Sequence, residues 1–162
     1  MMIACKNGSG RSVYELIQAK AEFKQPHEKG WIALMKACEN GSHNCSMALI
    51  RAMWDDSDRK AHLDIAKANG FTALMFACQS GDEHCVQLLI NADADLDIAE
   101  REGDTALMLA CKNGHEPCAR QLIEAGASFE VHNKQGDTAL TLADKYGGHT
   151  WKWLDFRHLG TK

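Results

Sequence analysis

The chain has 162 residues, of which 45% are hydrophobic and 25% charged, and a formal net charge of −4. These proportions are those of a soluble globular protein. No stretch approaches the roughly 18 apolar residues of a membrane span, and there is no cluster of Lys and Arg of the kind that phosphate binding needs, so membrane insertion and nucleic acid as the main partner are excluded.

In chain order, five segments repeat one pattern: Met1-Met2-Ile3-Ala4-Cys5-Lys6-Asn7-Gly8, Ala33-Leu34-Met35-Lys36-Ala37-Cys38-Glu39-Asn40-Gly41, Ala73-Leu74-Met75-Phe76-Ala77-Cys78-Gln79-Ser80-Gly81, Ala106-Leu107-Met108-Leu109-Ala110-Cys111-Lys112-Asn113-Gly114 and Ala139-Leu140-Thr141-Leu142-Ala143-Asp144-Lys145-Tyr146-Gly147. The interval is 33 residues from Met1 to Leu34, from Leu74 to Leu107 and from Leu107 to Leu140, but 40 from Leu34 to Leu74. A fixed period of this length marks a stacked-repeat architecture, and an insertion in one repeat goes to a loop. Ile50-Arg51-Ala52 aligns with Ile90-Asn91-Ala92, and His62-Leu63-Asp64-Ile65-Ala66 with Asp95-Leu96-Asp97-Ile98-Ala99, which puts the extra residues at about Met53 to Arg59, in a lengthened connection.

Within one repeat, Leu107, Ala110 and Cys111 stand at i, i+3 and i+4, on one face of a short helix. Gly114 then closes that helix, as Gly8, Gly41, Gly81 and Gly147 close its equivalents. Cys118, Leu122 and Ala125 define a second helix, as do Cys85, Leu89 and Ala92, and Cys45, Leu49 and Ala52. Pro117 suits its first turn, and the polar stretch Phe129 to Asp137 suits an extended excursion with a late tight turn at Gly136. Thr72, Thr105 and Thr138 each offer a hydroxyl to the next helix start. The seven cysteines fall on the core period. Equivalent ones in adjacent repeats stand about 10 Å apart at normal helix packing distance, too far for a disulfide, so reduced, buried thiols are expected.

This arrangement, from Gly103-Asp104-Thr105-Ala106-Leu107-Met108-Leu109-Ala110 to Leu122-Ile123-Glu124-Ala125-Gly126-Ala127, resembles the ankyrin repeat, with its Gly-x-Thr-Pro-Leu-His-x-Ala, its x-x-x-Gly-His step, its Leu-Leu pair and its Gly-Ala-Asp. Ala33, Ala73, Ala106 and Ala139 replace the family's Pro, and Met35, Met75 and Met108 its His. These changes should preserve the helices and touch only the helix-start hydrogen bonds that Thr and His share in the family. The resemblance implies an all-α solenoid of stacked helix-turn-helix pairs with hairpin-like connecting loops. One array over 1–162 then divides into an incomplete first repeat at 1–23, a second at 24–63 carrying the insertion 53–59, a third at 64–96, a fourth at 97–129 and a C-terminal capping repeat at 130–162. Met1-Met2-Ile3 supplies no polar outer face, so a segment cut from a longer array is expected. Trp151, Trp153, Leu154 and Phe156 read as a capping helix.

His115-Glu116-Pro117-Cys118 is the strongest candidate for chemistry, yet cysteine recurs in every repeat while histidine drifts through His43 and His84. A thiol that follows the core period is better explained by packing than by metal binding or nucleophilic attack. No phosphate loop, Ser/His/Asp order or paired-acid motif stands clear of the repeat. The chain therefore reads as a non-catalytic binding module with no cofactor or metal. No secretory signal precedes the repeats, so the cytoplasm is the default address, and the isolated array reads as a monomer.

Function in a solenoid lies on the concave face assembled from every repeat. By resemblance to ankyrin arrays, the contact positions are the turn residues and the polar ends of the inner helices: Glu28, Lys29, Trp31, Glu39 and Asn40 in the second repeat; Ala68, Asn69, Phe71, Gln79 and Ser80 in the third; Arg101, Glu102, Asp104, Lys112 and Asn113 in the fourth; Lys134, Gln135, Asp137, Lys145 and Tyr146 in the last. The turns read Trp31, Phe71, Asp104 and Asp137, aromatic toward one end and acidic toward the other. Trp31 and Phe71 are the hot-spot candidates, because aromatic anchors bury much area at small entropy cost. The expected function is protein or peptide binding on the concave face and loop tips. The alternative is a regulatory or spacer segment of a larger enzyme such as a kinase.

Overall fold

The computed structural model describes residues 1–26, 32–54 and 57–146. They form ten helices: α1 (Met2–Lys6), α2 (Gly10–Gln18), α3 (Ala33–Glu39), α4 (His43–Ala52), α5 (Arg59–Leu63), α6 (Ala73–Ser80), α7 (Glu83–Asn91), α8 (Ala106–Lys112), α9 (Glu116–Glu124) and α10 (Ala139–Tyr146). The repeated segments become an inner row in which α1 packs on α3, α3 on α6, α6 on α8 and α8 on α10. The second helices become an outer row, α2 on α4, α4 on α7 and α7 on α9, and α1, α3, α6 and α8 each also pack on the outer helix that follows. Among the described residues the architecture is an all-α solenoid, with one isolated antiparallel bridge between Ala99 and Thr105.

The inner row stacks closely because a small residue recurs where the helices meet: Ala37, Ala77, Ala110 and Ala143 are all fully buried. Leu34, Leu74 and Leu107 are buried as well, but Leu140 at the same position is 38% exposed. The reason is visible in the packing. The helices α3, α6 and α8 each have an outer partner, whereas α10 has none among the described residues.

Helix starts follow the threonine pattern. Met75 N donates to Thr72 Oγ1 at 3.3 Å, Met108 N to Thr105 Oγ1 at 3.4 Å and Thr141 N to Thr138 Oγ1 at 3.3 Å. At α6 the reciprocal bond runs from Thr72 N to Met75 Sδ at 3.5 Å. A thioether, a weak acceptor, thus serves where the related pattern has histidine. The inner helices α1, α3, α6 and α8 end at Gly8, Gly41, Gly81 and Gly114, all with positive φ, while Gly147 lies outside the described residues.

Before each of α6, α8 and α10 the chain makes a hairpin-like finger closed by the same backbone bond: Lys67 N to Phe71 O at 2.9 Å, Glu100 N to Asp104 O at 3.0 Å and Asn133 N to Asp137 O at 3.0 Å. Adjacent fingers are also joined. Arg101 N donates to Asn69 O, and Lys134 N to Glu102 O, both at 2.9 Å. That approach leaves no room for a side chain at the finger turns. A Cβ on Gly70 would lie 2.7 Å from Glu100 Cα, and one on Gly103 2.9 Å from Asn133 Cα.

The lengthened connection expected at 53–59 ends in α5, which begins at Arg59. Met53 is buried, while Asp55 and Asp56 lie outside the described residues. Arg59 straps the connection to the next repeat: its Nε donates to Ala92 O at 3.2 Å, its Nη1 to Trp54 O at 2.9 Å, and its guanidinium lies 4.9 Å from the Trp54 ring centre. Beyond α5 the register is regular again. Asp64 Oδ1 accepts from Asp95 N at 2.9 Å, and Asp97 Oδ1 accepts from Ser128 N at 2.8 Å.

Gly103 and Gly136 separate conformational strain from crowding. Both have positive φ, +89° and +81°, but a Cβ on Gly136 would meet nothing within 4 Å among the described residues. Alanine at either position should cost about 1–2 kcal/mol for the left-handed backbone, and Gly103→Ala should cost a further ~1–3 kcal/mol for overpacking. Urea unfolding of the two variants checks this; equal losses would mean that the fingers are not in contact.

Candidate partner-binding groove

Between the row of fingers and the inner helices runs a groove of about 490 Å³. Its apolar floor is Phe71, Leu109 and Leu142. The finger side carries Glu100, Glu102 and Asp137, and the opposite side carries Lys112 at the end of α8 with Lys145 and Tyr146 at the end of α10. Three consecutive repeats contribute, so the groove exists only because the fingers and inner helices are held in register.

Phe71 is half-buried, with its ring 5.2 Å from that of Phe76, and Lys67 Nζ stands 5.5 Å from the Phe76 ring centre. Tyr146 is 49% exposed and faces Lys145 Nζ at 5.5 Å. Gln79 and Asn113 also line the groove, and Asn113 Nδ2 donates to Leu109 O at 2.8 Å. Gln135 lines the finger side.

Asp104 is placed differently from what a contact residue requires, being 5% exposed. Its Oδ1 accepts from Asn133 Nδ2 at 2.7 Å, and its Oδ2 lies 3.5 Å from Lys112 Nζ. The pair therefore joins a finger to an inner helix, and Asn133 in turn caps its own finger by accepting from Gln135 N at 3.1 Å and Asp137 N at 2.9 Å. Glu100 does the same one repeat earlier, its Oε1 accepting from Glu102 N at 2.7 Å and Asp104 N at 3.3 Å. Glu100, Leu109, Asn133 and Leu142 are groove residues that sequence reasoning missed. Their signal was present in alignment, since Lys67, Glu100 and Asn133 share one variable position, as do Lys36, Phe76, Leu109 and Leu142.

Other predicted contact residues are engaged in bonds across the repeat joints or within their own repeat. Arg101 Nη2 donates to Ala68 O at 3.3 Å, and Asn69 Oδ1 accepts from Phe71 N at 3.4 Å. Ser80 Oγ donates to Cys38 O at 3.0 Å, Asn40 Nδ2 donates to Lys6 O at 3.3 Å, and Glu39 pairs with Lys36. Lys134 is exposed and contributes its amide to the finger ladder. Glu28, Lys29 and Trp31 lie outside the described residues, as do Trp151, Trp153, Leu154 and Phe156.

The seven cysteines are all free and buried. Inner-helix thiols meet outer-helix thiols of the next repeat, Cys5 beside Cys45 and Cys38 beside Cys85, and Ser46 Oγ accepts from Cys85 Sγ at 3.1 Å. Burial pushes the Cys5 and Cys111 thiols up to about 12 and Cys118 up to about 11, and it raises Cys78 well above its ordinary value. Thiols held protonated in this way are poor nucleophiles. The segment His115 to Cys118 diverges likewise: His115 Nε2 lies 3.2 Å from Gln79 O, and Cys118 is buried. Among the described residues no group of three or more His, Cys, Asp or Glu side chains is arranged to hold a metal ion.

The sequence profile of ankyrin repeats in three copies matches residues 1–100 and 92–154. The chain belongs to the ankyrin repeat family, whose members are generally protein–protein interaction modules and typically non-catalytic. No curated protein matches it. No helix among the described residues is long and apolar enough to cross a membrane.

The thiols give a test with a definite sign. Above about pH 9 the unfolded chain loses thiol protons that the folded chain retains up to about 12 at Cys5 and Cys111, so stability falls as pH rises through that window. Denaturation midpoints between these limits should decline, and a Cys5→Ala plus Cys111→Ala variant should show a shallower decline. Native labelling with a thiol reagent should be at least about tenfold slower than labelling in denaturant.

Proposed function

We propose that this chain is a cytoplasmic protein-interaction module that holds a protein or peptide partner in the groove and along the finger tips, as a monomer and without chemistry of its own. The observation that carries the reading is the groove itself. At about 490 Å³ it combines an apolar floor with polar groups on both sides, the composition of a recognition site. Seven reduced thiols suit a reducing compartment.

Within the groove, Phe71 and Tyr146 are the anchors and Glu102, Gln79, Gln135, Asp137, Asn113 and Lys145 the orienting polar groups. Asp104 and Lys112 position the wall. By sequence alignment Trp31 is the equivalent of Phe71 one repeat earlier, and the strip is taken to include it with Glu28, Lys29, Glu39 and Asn40, while Asn69, Ser80, Arg101 and Lys134 hold adjacent repeats in register.

A Phe71→Ala plus Tyr146→Ala variant should keep its thermal midpoint within a few degrees and lose at least about tenfold in affinity for groove ligands, since truncating two aromatic anchors costs upward of about 1 kcal/mol each. The check is quantitative recovery of partners by the folded wild type and the folded variant side by side. Undiminished recovery would move the binding surface elsewhere.

A further inference from the structure

The two sides of the groove are not equivalent electrostatically. On the helix side, Lys112 is already engaged by Asp104 at 3.5 Å, and Lys145 lies over the Tyr146 ring. Asp104 is itself paired with Lys112 and accepts a hydrogen bond from Asn133. On the finger side, Glu100, Glu102 and Asp137 face the groove, and among the described residues none of the three has a cationic partner. Glu100 uses one oxygen to cap its finger and leaves the other available. The same groove is lined by the apolar side chains of half-buried Phe71 and of Leu109 and Leu142, which are 5% and 2% exposed.

Among the described residues, three carboxylates without a cationic partner against Lys145, the groove lysine outside an ion pair, give the cleft a local excess of negative charge, and low-dielectric walls strengthen the field inside it. An acidic partner would find only Lys145 unless it displaced Lys112 from Asp104. A basic partner finds its acceptors already held in place by the finger backbone. Arginine fits better than lysine, because its planar fork can bond two carboxylate oxygens at once and its weakly hydrated face can lie on the apolar lining.

We infer that the groove accepts an extended peptide segment in which an arginine side chain reaches Glu100, Glu102 and Asp137 while a neighbouring apolar side chain lies on Phe71, Leu109 and Leu142. This rests on the reading of the groove as a partner site and adds the chemistry of the partner.

A random dodecapeptide display library panned on the folded protein separates the two claims. Groove-dependent clones are those whose binding drops at least about tenfold in the Phe71→Ala plus Tyr146→Ala variant. These clones should be enriched in arginine next to leucine, isoleucine or phenylalanine. Their affinity should fall at least about tenfold in a Glu102→Gln plus Asp137→Asn variant, and again as salt is raised from about 50 to about 500 mM. Groove-dependent clones without basic enrichment, or indifferent to the carboxylate substitutions, would overturn the partner chemistry and leave the groove reading standing. If no clone depends on the groove, both claims fall.

Discussion

Adjacent fingers approach until the backbone amide of one donates to a carbonyl of the one before it, Arg101 to Asn69 and Lys134 to Glu102, both at 2.9 Å. That contact constrains everything around it. It demands glycine at positions 70 and 103, where any Cβ would press on the next finger, and it sets the lateral spacing at which the inner helices must stack. Alanine at positions 37, 77, 110 and 143 lets the helices meet that spacing. Fingers and helices thus impose one repeat distance on each other, and the groove is the space between them.

The same spacing explains what the side chains beneath the groove do. A carboxylate at Asp104 is tolerable in a 5% exposed position because Asn133 from the next finger and Lys112 from the inner helix both reach it. Burial there stiffens the wall on which Glu102 and Asp137 are displayed. The thiols are the apolar counterpart. Cys38 and Cys85 meet across a repeat boundary beside Ser46, filling space with small, polarisable groups, and the contact with Cys38 together with burial raises the Cys85 thiol. The insertion disturbs neither, since Arg59 spans from Trp54 to Ala92 and the Asp64 and Asp97 loops return to identical bonding roles.

The fold was legible because the 33-residue period and the leucine, alanine, cysteine and glycine positions state the inner row outright. The 40-residue interval from Leu34 to Leu74 pointed to a lengthened connection at about 53–59, but nothing in Arg59-Lys60-Ala61-His62-Leu63 announced the helix α5 against its alignment with a loop. The groove was legible in part. Phe71, Gln79, Glu102, Lys145 and Tyr146 follow from repeat equivalence alone. The buried setting of Asp104 does not, because it depends on a lysine eight residues later and an asparagine twenty-nine residues later. Glu100 and Asn133 were missed for a related reason: both cap their own finger through a side-chain oxygen, and the different residue types at that position hide the common task. Leu140 shows the limit of periodicity, which records what a position can face but not whether a partner helix covers it.

The central claim is that backbone hydrogen bonds between fingers hold the solenoid, and the wall of the groove, in register. Amide hydrogen exchange at Arg101 and Lys134, followed residue by residue by NMR, tests this most directly. Both amides sit on exposed finger tips and would exchange quickly in a free loop. The account predicts protection comparable to that of the α8 amides; exchange near the rate of an unstructured peptide would contradict it.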